Sequence, residues 1–128
     1  MATSTDLFVG PPATLSVAVA TVEQVLGITL KHDVQDGDET WFGDDHTVWV
    51  AIRHGHDYEA DCGMDFPAYP IEIELYGRPF AVAEAAAREL CTALRESGSY
   101  PLLLSQNLSR CLDRYDPSPG SLTRSPRG

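Results

Sequence analysis

The stretch Ile71-Glu-Ile-Glu-Leu-Tyr76 decides the fold, because apolar and polar side chains alternate there residue by residue. That is the period of a strand with one buried face. Gly77 to Pro79 breaks the pattern, and the period then changes. Phe80, Ala83, Ala87, Leu90, Cys91 and Leu94 recur at helical spacing up to Glu96, while Glu84, Arg88, Arg95 and Glu96 fall on the solvent side. Glu84 and Arg88 also stand four residues apart in the favourable orientation. Ser97-Gly98 ends this helix, and Tyr100 to Leu104 reads as a buried strand. Leu108 to Tyr115 fits two patterns. Leu108, Cys111, Leu112 and Tyr115 match a short helix capped by Ser105, whereas Leu108, Arg110, Leu112 and Arg114 match the return strand of a hairpin. The strand is preferred, since two or three residues around Gln106-Asn107 suffice to turn the chain.

Working back from Ile71, a long loop covers His54 to Tyr69. Before it, Glu39-Thr-Trp-Phe42 and Thr47-Val-Trp-Val-Ala-Ile-Arg53 flank the turn Gly43-Asp-Asp-His46 and predict a hairpin. Val48, Val50 and Ile52 share one face; Thr47, Trp49, Ala51 and Arg53 share the other. Ile28, Leu30 and Val34 predict a short strand that ends in Gln35-Asp-Gly-Asp38. Further back, Thr14 caps a helix whose face is Leu15, Ala18, Val19, Val22, Val25 and Leu26, and Gly27 stops it. Residues 1–13 read as a flexible arm, 14–116 as one domain and 117–128 as a flexible Ser/Pro/Arg tail. The 128 residues, 43% of them apolar, suit one core. The expected fold is α+β, an antiparallel meander of about 4–6 strands with two helices on one face, in the order α-β-β-β-β-α-β-β.

The charge is uneven. The chain carries a net −10, and Asp33 to Glu74 holds 12 acids against one base, Arg53. Such a field disfavours nucleic acid and anionic membrane, and it reads either as a solvated, solubilising face or as a face that attracts a basic protein. Trp41 and Trp49 fall inside the acidic window, so a tryptophan ringed by carboxylates is available as an anchor.

Arg53-His54-Gly55-His56-Asp57, followed by Glu59, Asp61 and Cys62, is the one cluster of metal-ligand types. His-x-His on extended chain places both imidazoles on one side, and Asp57 would complete a set with His54 and His56. Without HExxH or CxxC the preferred reading is a solvated acidic loop with no metal and no cofactor. Cys62 beside a histidine lacks any nucleophile motif, and His32 and His46 are isolated in sequence. No phosphate-binding glycine motif is present, and no catalytic residue is assigned. Three cysteines cannot close a disulfide set, and Cys91 reads as a small core hydrophobe. The N-terminus lacks a basic secretory n-region, which predicts a cytoplasmic protein. Arg supplies 8 of the 9 basic residues, the coding bias of a GC-rich bacterial genome.

The element order, the acidity and the ending Pro101-Leu-Leu-Leu-Ser105 … Ser109-Arg-Cys-Leu-Asp-Arg-Tyr-Asp116 resemble small acidic immunity-type proteins of GC-rich bacteria. The order is also similar to that of small acidic secretion chaperones. The resemblance implies a protein that works by binding another and transfers no site residue. The expected function is a non-catalytic module, monomer or homodimer, that binds a basic protein partner. Asp36, Asp38, Glu39, Trp41, Asp44, Asp45, Asp57 and Glu59 are its candidate contacts. A small metal-dependent enzyme using the His54–Cys62 loop, or a small-ligand carrier with a pocket between sheet and helices, are the alternatives.

Overall fold

The computed structural model describes residues 4–117 apart from 36, 37, 57 and 99. In chain order the elements are β1 (Thr5–Val9), α1 (Leu15–Leu26), β2 (Lys31–Gln35), β3 (Asp38–Asp44), β4 (Val48–His54), a 3-10 turn (Phe66–Ala68), β5 (Ile71–Gly77), α2 (Phe80–Ser97), β6 (Leu102–Gln106) and β7 (Arg110–Tyr115). The seven strands form one antiparallel sheet in the order β2-β3-β4-β5-β1-β6-β7. Both helices pack on one face of it. The α+β reading therefore holds, and within Leu108 to Tyr115 the return strand is β7, antiparallel to β6.

Two features differ from expectation. Residues 5–9, read as part of an arm, are β1, which sits between β5 and β6 with every residue buried. Thr5-Asp-Leu-Phe-Val9 is too short and too mixed to show a period, yet it interrupts the meander at its centre. Ile28 and Leu30 send their side chains into the core just before the strand, which starts at Lys31.

The helix ends are as the residues dictate. Thr14 Oγ1 accepts from the Val17 amide at 3.2 Å, and Gly27 closes α1 in the left-handed conformation at φ 70°. Beneath α1 and α2 lie Leu7, Val9, Val50, Ile52, Ile71, Ile73, Leu75, Leu102 and Leu104, meeting Ala18, Val22, Ala83, Ala87, Leu90 and Leu94. Each large aliphatic there contributes roughly 1.5–3 kcal/mol by leaving water. Small alanines let α2 approach closely, and a Cβ on Gly77 would stand 2.6 Å from the Ala83 amide nitrogen. Cys91 is in this layer, and burial pushes its thiol up to about 11, the behaviour of a core hydrophobe.

The other face of the sheet is divided. Over β1 and β6 the loop from Gly55 to Pro70 folds back, burying Phe8 and Leu103 under Met64 and Phe66. Arg114 fastens it by donating to the Gly63 carbonyl at 3.1 Å. Among the described residues neither helix nor loop lies over β3, β4 and the end of β5, and Trp49 is 40% exposed.

Candidate functional site

Strand register brings together acids that are far apart in sequence. On the face away from the helices, one row across the sheet runs Asp44–Trp49–Tyr76. The next runs Phe42–Ala51–Glu74–Asp6–Ser105, and the third Thr40–Arg53–Glu72–Phe8–Leu103. Cross-strand neighbours on one face stand about 5 Å apart at Cβ, so each row is a line of contacts.

At the covered end of these rows is a carboxyl cluster. Asp6 and Glu72 are fully buried, while Glu74 retains 17% of its side-chain exposure. Arg53 Nη1 donates to Glu72 Oε1 at 2.9 Å and to Glu74 Oε1 at 3.4 Å. Tyr58, from the loop, donates its hydroxyl to Glu72 Oε2 at 3.2 Å, and Tyr76 donates to Glu74 Oε2 at 3.0 Å. Ser4 Oγ donates to Asp6 Oδ1 at 2.7 Å.

One guanidinium cannot balance three carboxylates out of water. Burial, reinforced by the hydrogen bond and charge of Glu72, pushes the Asp6 carboxyl up to about 9. Asp6 is therefore protonated at neutral pH, and the proton has a use. As a carboxylate, Asp6 Oδ2 would lie buried without a donor; as an acid it donates toward Glu72. Burial and the neighbouring carboxylates likewise raise Tyr58, and raise Tyr76 to about 12. Two further buried hydroxyls lack partners among the described residues, Ser105 Oγ on this face and Thr5 Oγ1 on the helix side.

A protonated carboxyl beside a carboxylate is the chemistry of general acid–base pairs. Here Asp6 and Glu72 have no exposed surface, so no substrate atom reaches them without rearrangement.

The residues singled out from sequence scatter. Asp44 lies in the uncovered face beside Trp49. Asp45 is exposed, but its Oδ1 is occupied by the Val48 amide (2.8 Å), the Thr47 amide (3.0 Å) and the Thr47 hydroxyl (2.8 Å). Those bonds hold the Asp45 carboxyl below the usual range, the Val48 amide most strongly. Glu39 pairs with His32, whose ring stacks on Trp41 at 4.6 Å. Trp41 is half-buried at the helix-side margin, so the exposed tryptophan is Trp49. Asp38 opens β3 at the far end from Asp44, roughly 20 Å away at strand rise. Glu59 is exposed in the loop, and Asp36 and Asp57 lie outside the described residues.

The His54–Cys62 segment is built as structure. His56 Nδ1 accepts from the Tyr58 amide at 3.2 Å, and Nε2 donates to the Tyr69 carbonyl at 2.7 Å, so both nitrogens are in use. His54 is exposed at the end of β4, and Cys62 occupies a tight turn at φ 52° beside Gly63. Among the described residues, one group of three ligand-type side chains converges within 4.8 Å, and it is Asp6, Glu72 and Glu74. A corner cavity between α2 and β7, lined by Cys91, Leu102, Leu104 and Tyr115, holds about 10 Å³, the space of one water.

Sequence reading passed over Asp6, Arg53, Glu72, Glu74 and Tyr76 as site residues. Glu72 and Glu74 are the polar half of the alternation, which leaves that face open between solvent and a dimer surface, and the loop covers it at Glu72. No helix among the described residues is long and apolar enough to cross a membrane. No family model matches the chain, and no curated protein or solved structure matches it either.

Proposed function

We propose that the chain is a non-catalytic binding module that engages a basic protein partner through the uncovered face of β3, β4 and β5. The observation carrying this reading is Trp49, 40% exposed, with Tyr76 at a ring-centroid distance of 5.5 Å and Asp44 as its neighbour on the other side. A large aromatic held rigid on a strand costs little side-chain entropy to bind, and tryptophan and tyrosine dominate interface anchors. Asp44 flanks the pair and supplies an acceptor for a partner's Arg or Lys. The surplus of acids from Asp33 to Glu74 steers such a partner and makes its association salt-dependent.

The contact set differs from the eight residues named from sequence, with Asp44 common to both. Trp49 takes the anchoring role in place of Trp41, which packs against the core. Capture from a lysate of the source organism tests the reading. One basic protein, retained at low salt and released at high salt, supports it; a folded bait that retains nothing at either salt overturns it.

A further inference from the structure

Ser105 is a fully buried serine whose hydroxyl has no hydrogen-bond partner among the described residues, and it faces Asp6 directly across the β1–β6 ladder. Asp6 Oδ2 is also buried without a donor. Beside them, carboxyl oxygens of Asp6, Glu72 and Glu74 lie within 4.8 Å of one another. Oxygens bound to one calcium-sized ion at about 2.3–2.6 Å stand at most about 5 Å apart across it, so the spacing suits a shared ion. We propose that Asp6, Glu72, Glu74 and the Ser105 hydroxyl form a binding site for a hard divalent cation of the Ca²⁺, Mn²⁺ or Mg²⁺ class.

The orphan hydroxyl is the second observation that the carboxyls alone lack, because it offers a neutral oxygen ligand that no protein donor or acceptor uses. All four ligands are oxygens, the donor type that hard cations prefer and softer metals do not select. Tyr58 and Tyr76 hold one oxygen each of Glu72 and Glu74, orienting the carboxylates as outer hydrogen bonds do around metals. Entry passes Arg53, whose side chain is 34% exposed and reaches both carboxylates through Nη1, so rotation toward solvent frees Glu72 Oε1 and Glu74 Oε1.

The ion takes the place of the Arg53 guanidinium between Glu72 and Glu74, so two positive charges meet the carboxyls where one stood before.

Calorimetric titration of the full, chelator-treated chain with CaCl₂ and MnCl₂ tests this. The wild type is expected to take up one ion per chain saturably. Asp6→Asn, which mimics the neutral acid, is expected to stay folded and to lose at least about tenfold in affinity, and Ser105→Ala several-fold. Should Asp6→Asn misfold, Glu74→Gln at the partly exposed position gives the same tenfold comparison. No saturable uptake by folded wild type overturns the proposal. Unchanged affinity in the carboxyl variants overturns it too, since the ions would then sit on exposed surface carboxylates.

Discussion

Arg53 and Glu72 face each other across the β4–β5 ladder and are joined by a 2.9 Å hydrogen bond, with Glu72 fully buried. The same guanidinium reaches Glu74, so one cation on β4 serves two carboxyls on β5. Removing the cation leaves buried charge uncompensated, which costs more than the pair contributes when intact. Arg53→Met is expected to destabilise the fold by about 2 kcal/mol, below the range for fully buried pairs because Arg53 is partly solvated. Arg53→Lys recovers part of the loss. Urea unfolding of the two variants checks both statements; equal stability of Arg53→Met and wild type would count against the buried cluster.

Asp6 gives a pH signature. Its native carboxyl titrates near 9 against 3.8 as its ordinary value, so above about pH 4 the native state holds a proton that the unfolded chain lacks. This group's contribution to stability is greatest below pH 4, falls as pH rises, and levels off beyond about 9. Asp6→Asn keeps the neutral hydrogen-bonding form and removes the slope. At pH 7, in chelator, the variant is expected to be more stable than wild type by on the order of 2–4 kcal/mol. Unfolding curves from pH 4 to 9 that run parallel for the two proteins would contradict it.

Asp45 titrates in the opposite sense. Its carboxyl is held below 3.8 by the turn it caps, so its contribution is present above that value and is lost as pH falls through the depressed one. Asp45→Ala is expected to cost about 1 kcal/mol, the value of a side-chain cap on backbone amides, while Asp45→Asn retains most of it. Thermal melts at pH 7 and pH 3 separate these outcomes.

Gly77 marks where α2 closes on β5. A Cβ there meets the Ala83 amide nitrogen at 2.6 Å, and backbone cannot move aside as a flexible side chain can. Gly77→Ala is expected to cost about 1–3 kcal/mol, the range for overpacking, read as a lowered Tm. Gly27→Asn, at a left-handed helix end with open space around it, is the tolerated comparison.

The fold was legible wherever a period ran long enough. Ile71–Tyr76, Val48–Ile52 and the stripe from Ala83 to Leu94 alternate or repeat over several turns, and each became the element its period dictated. Thr5–Val9 was not legible, because five residues buried on both faces have no polar side to alternate against. The candidate site was hidden for the same reason. Asp6 belongs to that unread strand, and its neighbours Glu74 and Ser105 come from segments about 70 and 100 residues away through register alone. The burial of Glu72 was not legible because alternation reports which face a residue takes, and not what a distant loop lays over that face. Trp41 and Trp49 were equivalent in sequence; only the pairing with Ile52 on one side and Tyr76 on the other separates core from surface.

The central claim, that the Trp49 face takes the partner, is tested most directly by comparing two tryptophan variants against the protein captured from lysate. Trp49→Ala removes an exposed ring and is expected to leave Tm nearly unchanged while weakening partner affinity by at least about tenfold. Trp41→Ala, which opens the core margin, is expected to lower Tm while the folded fraction binds as wild type does. Calorimetric titration at low salt reads the affinities. Equal affinity of Trp49→Ala and wild type, or loss of binding confined to Trp41→Ala, would contradict the account.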